Sequence, residues 1–232
     1  MKYRYLSKLI LPLLLIALTT ACGSNNNTNA QFRLMDASPG ETSLTVTLGG
    51  TAFTSSVTYG TVSPYTFVLS GTPTLEIQGP SIITGNTTTL FNGAVTLNQS
   101  TTYTAVADNY PLNFGVTLYV DNNSLPASGN FNLRIINSAP GLGTVDVYVV
   151  APGTDLNSVS PKVAGLAFQA ASAYLPMSAG TYEVYFTLAG QKHPVYIDSG
   201  PLKFSASQVR TLVGLNGASP GEYTDAVLSD LN

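Results

Sequence analysis

Gly217-Ala-Ser219-Pro-Gly221 has the Gly-x-Ser-x-Gly spacing with which hydrolases set a nucleophilic serine on a strand-to-helix turn. In that chemistry the residue after the serine donates its backbone N–H to the developing oxyanion, and Pro220 has no N–H to give. The triad histidine should also follow the serine, whereas the sole histidine, His193, precedes it. Ala218-Ser-Pro-Gly221 repeats Ala37-Ser-Pro-Gly40, so the segment reads as a turn used twice. His193 lies between Gly190-Gln-Lys and Pro194, the composition of a hairpin loop. One histidine without a spare thiol cannot complete a tetrahedral structural zinc site. Asp36, Asp108, Asp121, Asp155, Asp198, Asp225 and Asp230 fall near expected strand ends, where sandwich loops can bind calcium through oxygen. No Asp-x-Asp-x-Asp-Gly loop gathers them, and aspartate in a turn needs no metal to explain it. No catalytic residue, metal ligand or cofactor is assigned.

Cys22 is the only cysteine. Lys2, Arg4 and Lys8 form a basic start, Leu9 to Leu18 an apolar run, and Thr19-Thr20-Ala21 a small-residue approach to the thiol. The arrangement resembles a bacterial lipobox, with Ala21 and Gly23 fitting and Thr19 standing where leucine is usual. Residues 1–21 are therefore expected to be a signal peptide, Cys22 the acylated mature terminus, and 22–30 a polar, flexible tether. The apolar run is far short of the roughly 20 residues that span a bilayer, and Pro12 interrupts it. The expected location is the cell envelope, and in a Gram-negative host its outer membrane or periplasmic face.

Cleavage would remove three of the 9 basic residues and none of the 12 carboxylates. The remaining chain is then acidic and offers no electrostatic footprint for nucleic acid or anionic lipid. Membrane attachment would rest on the acyl group. Only 9% of the chain is charged, so solubility must come from Thr, Ser and Asn. A lone cysteine excludes an intrachain disulfide, and stability must come from apolar packing, for which 13 Tyr and 9 Phe supply material.

Most of the chain alternates apolar and polar residues, as in Leu44-Thr-Val-Thr-Leu48, Val145-Asp-Val-Tyr-Val149 and Tyr182-Glu-Val-Tyr-Phe186. This is strand patterning, and Gly or Pro punctuates it at intervals suited to a β-sandwich. The alternation slips at places such as Leu34-Met35. Val163 to Ala173 is Ala-rich but bounded by Pro161 and Pro176, which favours a strand or short turn over a helix. Arg33-Leu-Met-Asp-Ala-Ser-Pro-Gly40 aligns with Arg134-Ile-Ile-Asn-Ser-Ala-Pro-Gly141, and Leu44, Val46 and Leu48 then fall on Val145, Val147 and Val149. Tyr59, Tyr65 and Gly71 fall on Phe168, Tyr174 and Gly180 once an insertion around Ala151-Pro-Gly-Thr-Asp-Leu-Asn157 is allowed for. The expected fold is all-β: two tandem Ig-like, Greek-key sandwiches at 31–122 and 130–232, joined by a linker at 123–129 with few contacts across it.

The Arg-x-x-[Asp/Asn]-x-x-Pro-Gly turn, the apolar strand Val145–Val149, the aromatic Tyr59-Gly-Thr-Val-Ser-Pro-Tyr65 and Gly180-Thr-Tyr before a strand resemble the bacterial domain-of-unknown-function family 4397. The likeness covers about residues 30 to 230 and is closer in the second copy, the first having Thr45 for Asp146 and Pro73 for Tyr182. The resemblance implies exported, often tandem β-sandwich modules and carries over no activity or catalytic residue.

Among the tyrosines, pleat parity assigns Tyr182 to the core with Val184 and Phe186, and turns Tyr148 and Tyr185 outward with Asp146 and Glu183. The loop that differs most between the copies, with Pro152, Gly153 and Asp155, is the expected partner-binding loop, because recognition concentrates in loops on rigid frames. The functional expectation is a non-catalytic, lipid-anchored envelope protein acting as a structural or protein-interaction module. A carbohydrate-binding or adhesin-like role is the alternative, and an envelope hydrolase a third. The expected partners are the membrane, through the lipid, and an envelope protein or glycan.

Overall fold

Strand β1 (Asn29–Ala37) is buried on both faces along most of its length. Phe32 and Leu34 point one way, Arg33 and Met35 the other, and all four are at most 2% exposed. A strand can do this only between two packed layers, and that fixes how the rest of the chain is arranged. The computed structural model describes residues 28–81 and 84–231, so the expected signal peptide and Cys22 lie outside the described residues.

The fold is all-β. In the first half β1 is followed by β2 (Leu44–Leu48), β3 (Thr51–Val57), β4 (Thr66–Leu69), β5 (Thr74–Pro80), β6 (Thr87–Ala94), β7 (Thr102–Asp108) and β8 (Gly115–Asp121). One sheet has the order β4-β1-β7-β8, with β1 and β7 parallel, and the other β3-β2-β5-β6. Between them lie Phe32, Leu34, Leu44, Val46, Leu75, Ile77 and Tyr103, with Phe53 edge-on to Phe32 at 5.2 Å.

The second half runs β9 (Asn130–Asn137), β10 (Val145–Val150), β11 (Val163–Leu166), β12 (Ala170–Ala171), β13 (Leu175–Ser178), β14 (Gly180–Leu188), β15 (Val195–Asp198), β16 (Leu202–Phe204), β17 (Val209–Asn216) and β18 (Tyr223–Leu231). One sheet has the order β11-β10-β14-β15, with β16 also on β14; the other is β12-β9-β17-β18, with β13 also on β9. Here β9 and β17 are the parallel pair. The enclosed core contains Phe131, Leu133, Ile135, Val145, Val147, Val184 and Phe186, and Phe131 stacks on Phe204 at 4.5 Å. The stretch expected to be strand or turn at 163–173 holds β11, a turn and β12.

Residues 122–129 connect β8 to β9 without a strand. The expectation of few contacts across them is corrected by a third apolar cluster, which draws Met35, Ala37 and Val106 from the first half and Ile136, Val213, Leu215 and Leu228 from the second. The β4-β1-β7-β8 sheet thus packs against the β12-β9-β17-β18 sheet. Hydrophobic surface at a strand centre is removed from water on both sides, which explains the slips in alternation at Leu34-Met35 and Ile135-Ile136.

Candidate functional site: the seam between the two halves

Arg33 and Arg134 stand in matching registers, opposite Thr104 and Thr211 on the parallel neighbour strands. The Nε of Arg33 donates to Thr104 Oγ1 (2.8 Å) and that of Arg134 to Thr211 Oγ1 (3.0 Å). Each guanidinium lies over a tyrosine of its own half, Tyr65 at 4.2 Å and Tyr174 at 4.8 Å, and then crosses the seam. Arg33 pairs with Asp230 and donates to Ser229 O; Arg134 donates to Asp121 Oδ1 (2.6 Å) and to Val120 O (3.1 Å). The aspartates are held in turn. Asp121 Oδ2 accepts from Tyr65 (2.8 Å) and Thr104 (2.6 Å), and Asp230 Oδ2 from Tyr174 (2.8 Å) and Thr211 (2.6 Å). The result is a closed ring in which every charge is buried, paired and further hydrogen-bonded, the condition under which buried ions are tolerated. Burial works to lower the pKa of Arg134, but Asp121, Tyr174 and Asp230 around it together more than offset this and raise it. Burial and then Asp121 push the Tyr65 hydroxyl far above its ordinary value, so it remains a donor.

A second set of groups sits further along the seam. Asp36 is fully buried; its Oδ1 accepts from Ser38 N (3.0 Å) while Oδ2 has no partner. Burial, and to a smaller extent the charge of Glu41, raise its pKa to about 7 against the pull of Ser38 N–H. At the matching position Asn137 donates to Gly143 O and Leu166 O and accepts from Ala139 N, so an amide satisfies there what a carboxylate cannot. Asp108 accepts from Gln169 Nε2 across the seam (2.7 Å), and burial raises its pKa to about 6.

Where the seam opens to solvent, two adjoining clefts of about 690 and 390 Å³ flank the turn between β17 and β18. Both are lined by Tyr59 and Asn216, the larger also by Tyr196, Tyr223 and Glu222, the smaller by Tyr110 and Glu41. Tyr59 donates to Asn216 O (2.8 Å), Asn216 Nδ2 to Tyr110 Oη (2.8 Å), and Tyr196 stands edge-on to Tyr223 at 5.8 Å. Asn216 Oδ1 is buried without a partner.

Of the residues singled out in the sequence, Asp36, Asp108, Asp121 and Asp230 lie at the seam. Ser219 accepts from Glu222 N in the exposed β17–β18 turn, and Gly217 N donates to Glu222 O, which makes the Gly-x-Ser-x-Gly stretch a hairpin. His193 is exposed between β14 and β15. Asp121 and Asp230 belong to the ring, Asp155 caps a short 3-10 turn through Asn157 N (2.9 Å), and Asp198 accepts from Gly200 N (2.9 Å). Among the described residues no three His, Cys, Asp or Glu side chains group to hold a metal.

The loop with Pro152, Gly153 and Asp155 does not stand free. Gly153 N donates to Glu183 Oε2 within β14, opposite the last residue of β10, and Lys192 Nζ, beyond the end of β14, donates to Leu156 O, Asn157 O and Val159 O. The loop therefore runs back over the outer face of the β10-β14 sheet, with Leu156 buried beneath it. This corrects Tyr148, expected to face solvent but only 1% exposed. Tyr185 is partly buried and bonded to Glu183, and Tyr182 packs on the core as expected.

The family model described as a domain of unknown function, DUF4397, matches residues 30–148. The chain belongs to the DUF4397 family. The match takes in the first half and stops at Tyr148 in β10, so it does not favour the second half, contrary to the expectation of a closer likeness there. No curated protein matches the chain. The DUF4397 match includes Arg33, Asp121 and Arg134 but not Asp230. Sequence reasoning missed the ring although its signal was present: Tyr65 and Tyr174, and Asp121 and Asp230, share one spacing.

Proposed function

We propose that this protein is a non-catalytic, lipid-anchored protein of the cell envelope, made of two tandem copies of one sandwich unit and acting as a structural or protein-interaction module. The observation that carries this reading is the ring. Both buried arginines, Arg33 and Arg134, and the aspartates they pair with, Asp230 and Asp121, are engaged in joining the halves. The equal registers of β1 with β7 and β9 with β17 support the tandem copies. The lipobox-like approach to Cys22 supports the anchor and, with Gly23 after it, an outer-membrane or periplasmic address. Membrane partition, an acylated Cys22 by mass spectrometry and failure of Cys22→Ala to mature are the expected results. Crosslinking of the tagged full chain in intact cells should recover one envelope protein reproducibly; recovery of none would sink the interaction role.

A second reading, a glycan-binding surface protein, is favoured by the tyrosine-lined clefts. Aromatic faces beside Asn216 and Glu222 offer the stacking and hydrogen bonding that sugars take. A glycan array with the full chain and with Tyr196→Ala separates the two: sugar binding lost in the variant would establish the second.

A further inference from the structure

Phe67 and Leu69 on edge strand β4 are 66% and 74% exposed, although both are large and apolar. The fold does not demand this. β4 pairs with β1 at Gln31↔Phe67 and Asn29↔Leu69, and β13 pairs with β9 at Asn132↔Pro176 and Asn130↔Ser178, so the counterpart positions carry proline and serine. Beside the pair lies a groove of about 400 Å³ between the edges of the two sheets of the first half, lined by Leu48, Phe53, Phe67, Val68, Leu69 and Pro73, with no charged residue in its walls. Thr51 and Thr66 complete it with hydroxyls. The chain enters the fold at the same place: Ser70 N donates to Thr28 O, and Asn29 opposes Leu69. Cys22 is six residues before Thr28. Six residues span at most about 20 Å when fully extended, so a group on Cys22 is confined to this end of the molecule.

We propose that the groove and the Phe67/Leu69 pair are a lipid-docking face, resting on the acyl-chain boundary of the bilayer in which Cys22 is anchored. The proposal rests on the anchoring reading. Apolar side chains enter the boundary, and the threonines meet the headgroups. With no cation in the groove, the contact is hydrophobic and insensitive to salt. The protein would then sit with β4 down and the far ends of β1 and β7 away from the membrane.

The chain has no tryptophan, so one introduced indole reports its own surroundings. Full-length chain carrying Phe67→Trp, matured in its host and returned to phosphatidylethanolamine/phosphatidylglycerol vesicles with brominated acyl chains, should show blue-shifted, quenched emission unchanged by high salt. Leu112→Trp, 80% exposed beyond the opposite end of β7, should be neither shifted nor quenched. Acylated protein that coats the vesicles while both tryptophans stay unquenched overturns the docking face and leaves the anchor standing. A blue shift without quenching that rises with protein concentration assigns the groove to a second copy and also overturns it. Protein with an unmodified Cys22 that stays off the vesicles overturns the anchor, and the docking face with it.

Discussion

Arg33 in β1 is ion-paired with Asp230 in β18, 197 residues along the chain, while Arg134 in the matching register of β9 is paired with Asp121 in β8. Each half lends one arginine and receives one. The two pairs are further tied by the 3.8 Å approach of Arg134 Nη2 to Asp230 Oδ2.

Removing one member leaves a buried charge without its partner, which costs about 3–5 kcal/mol. Asp230→Ala should be the worse of the pair, since it also strands Tyr174 and Thr211, and Arg33→Ala/Asp230→Ala should cost less than the two singles added. Urea melts of the four proteins measure this. Single variants within about 0.5 kcal/mol of the parent would show that the ring is dispensable.

Fragments 30–124 and 128–232, each carrying one sheet pair, should behave as complementary partners. Apart, they expose Met35 and Val106 on one side and Ile136 and Val213 on the other. Mixed, they should sediment as a one-to-one complex that melts above either fragment alone. Persistent separation at micromolar concentration would mean that the seam contributes little beyond the covalent link.

Stability should fall as pH rises from about 4 to about 7. In that window folded Asp36 holds a proton that the unfolded chain, with its ordinary value of 3.8, has released, so protonation favours the fold. Asp108 adds a change of the same sign that ends near pH 6. Asp36→Asn, which installs the amide already found at Asn137, should flatten the upper part of the profile. It should also stabilise the protein at pH 8 by about 1–3 kcal/mol. Thermal melts across this range decide it, and an unchanged slope in the variant would refute the assignment to Asp36.

The loop over β10 should resist trimming. Leu156→Ala should cost about 2–5 kcal/mol, as for other buried leucines, and Lys192→Ala should loosen residues 156–159 to hydrogen exchange. Deleting 152–158 should uncover Tyr148, seen as a rise in its accessibility to nitration. An unaltered melt after deletion would restore the loop to the role of a free appendage.

The strands were legible because alternation records a half-buried pleat, and Val145–Val149 and Tyr182–Phe186 are strands where the pattern placed them. The third layer was not, because Leu34-Met35 and Ile135-Ile136 look like lapses in a two-layer pattern until both faces are known to be covered. Parity assigned Tyr148 to the outer face of β10 but carries no information on what lies over that face. Lys192, forty-odd residues away, holds the backbone of the loop at Leu156, Asn157 and Val159, a contact that pleat parity does not encode. The aspartates at 121 and 230 read as turn residues because strand ends and turns share composition. Only their shared spacing with Tyr65 and Tyr174 distinguished them.

The reach of Asp230 back to Arg33 also sets an order of events. Synthesis delivers β1 first and β18 last, so Arg33 must wait for almost the whole chain before its charge is answered. Until then the first half carries an unneutralised guanidinium against an uncovered apolar sheet, the state that chaperones recognise. A protease that clips β18, or a tag that displaces Ser229 and Asp230, would therefore be felt at Arg33 in β1, the first strand of the fold.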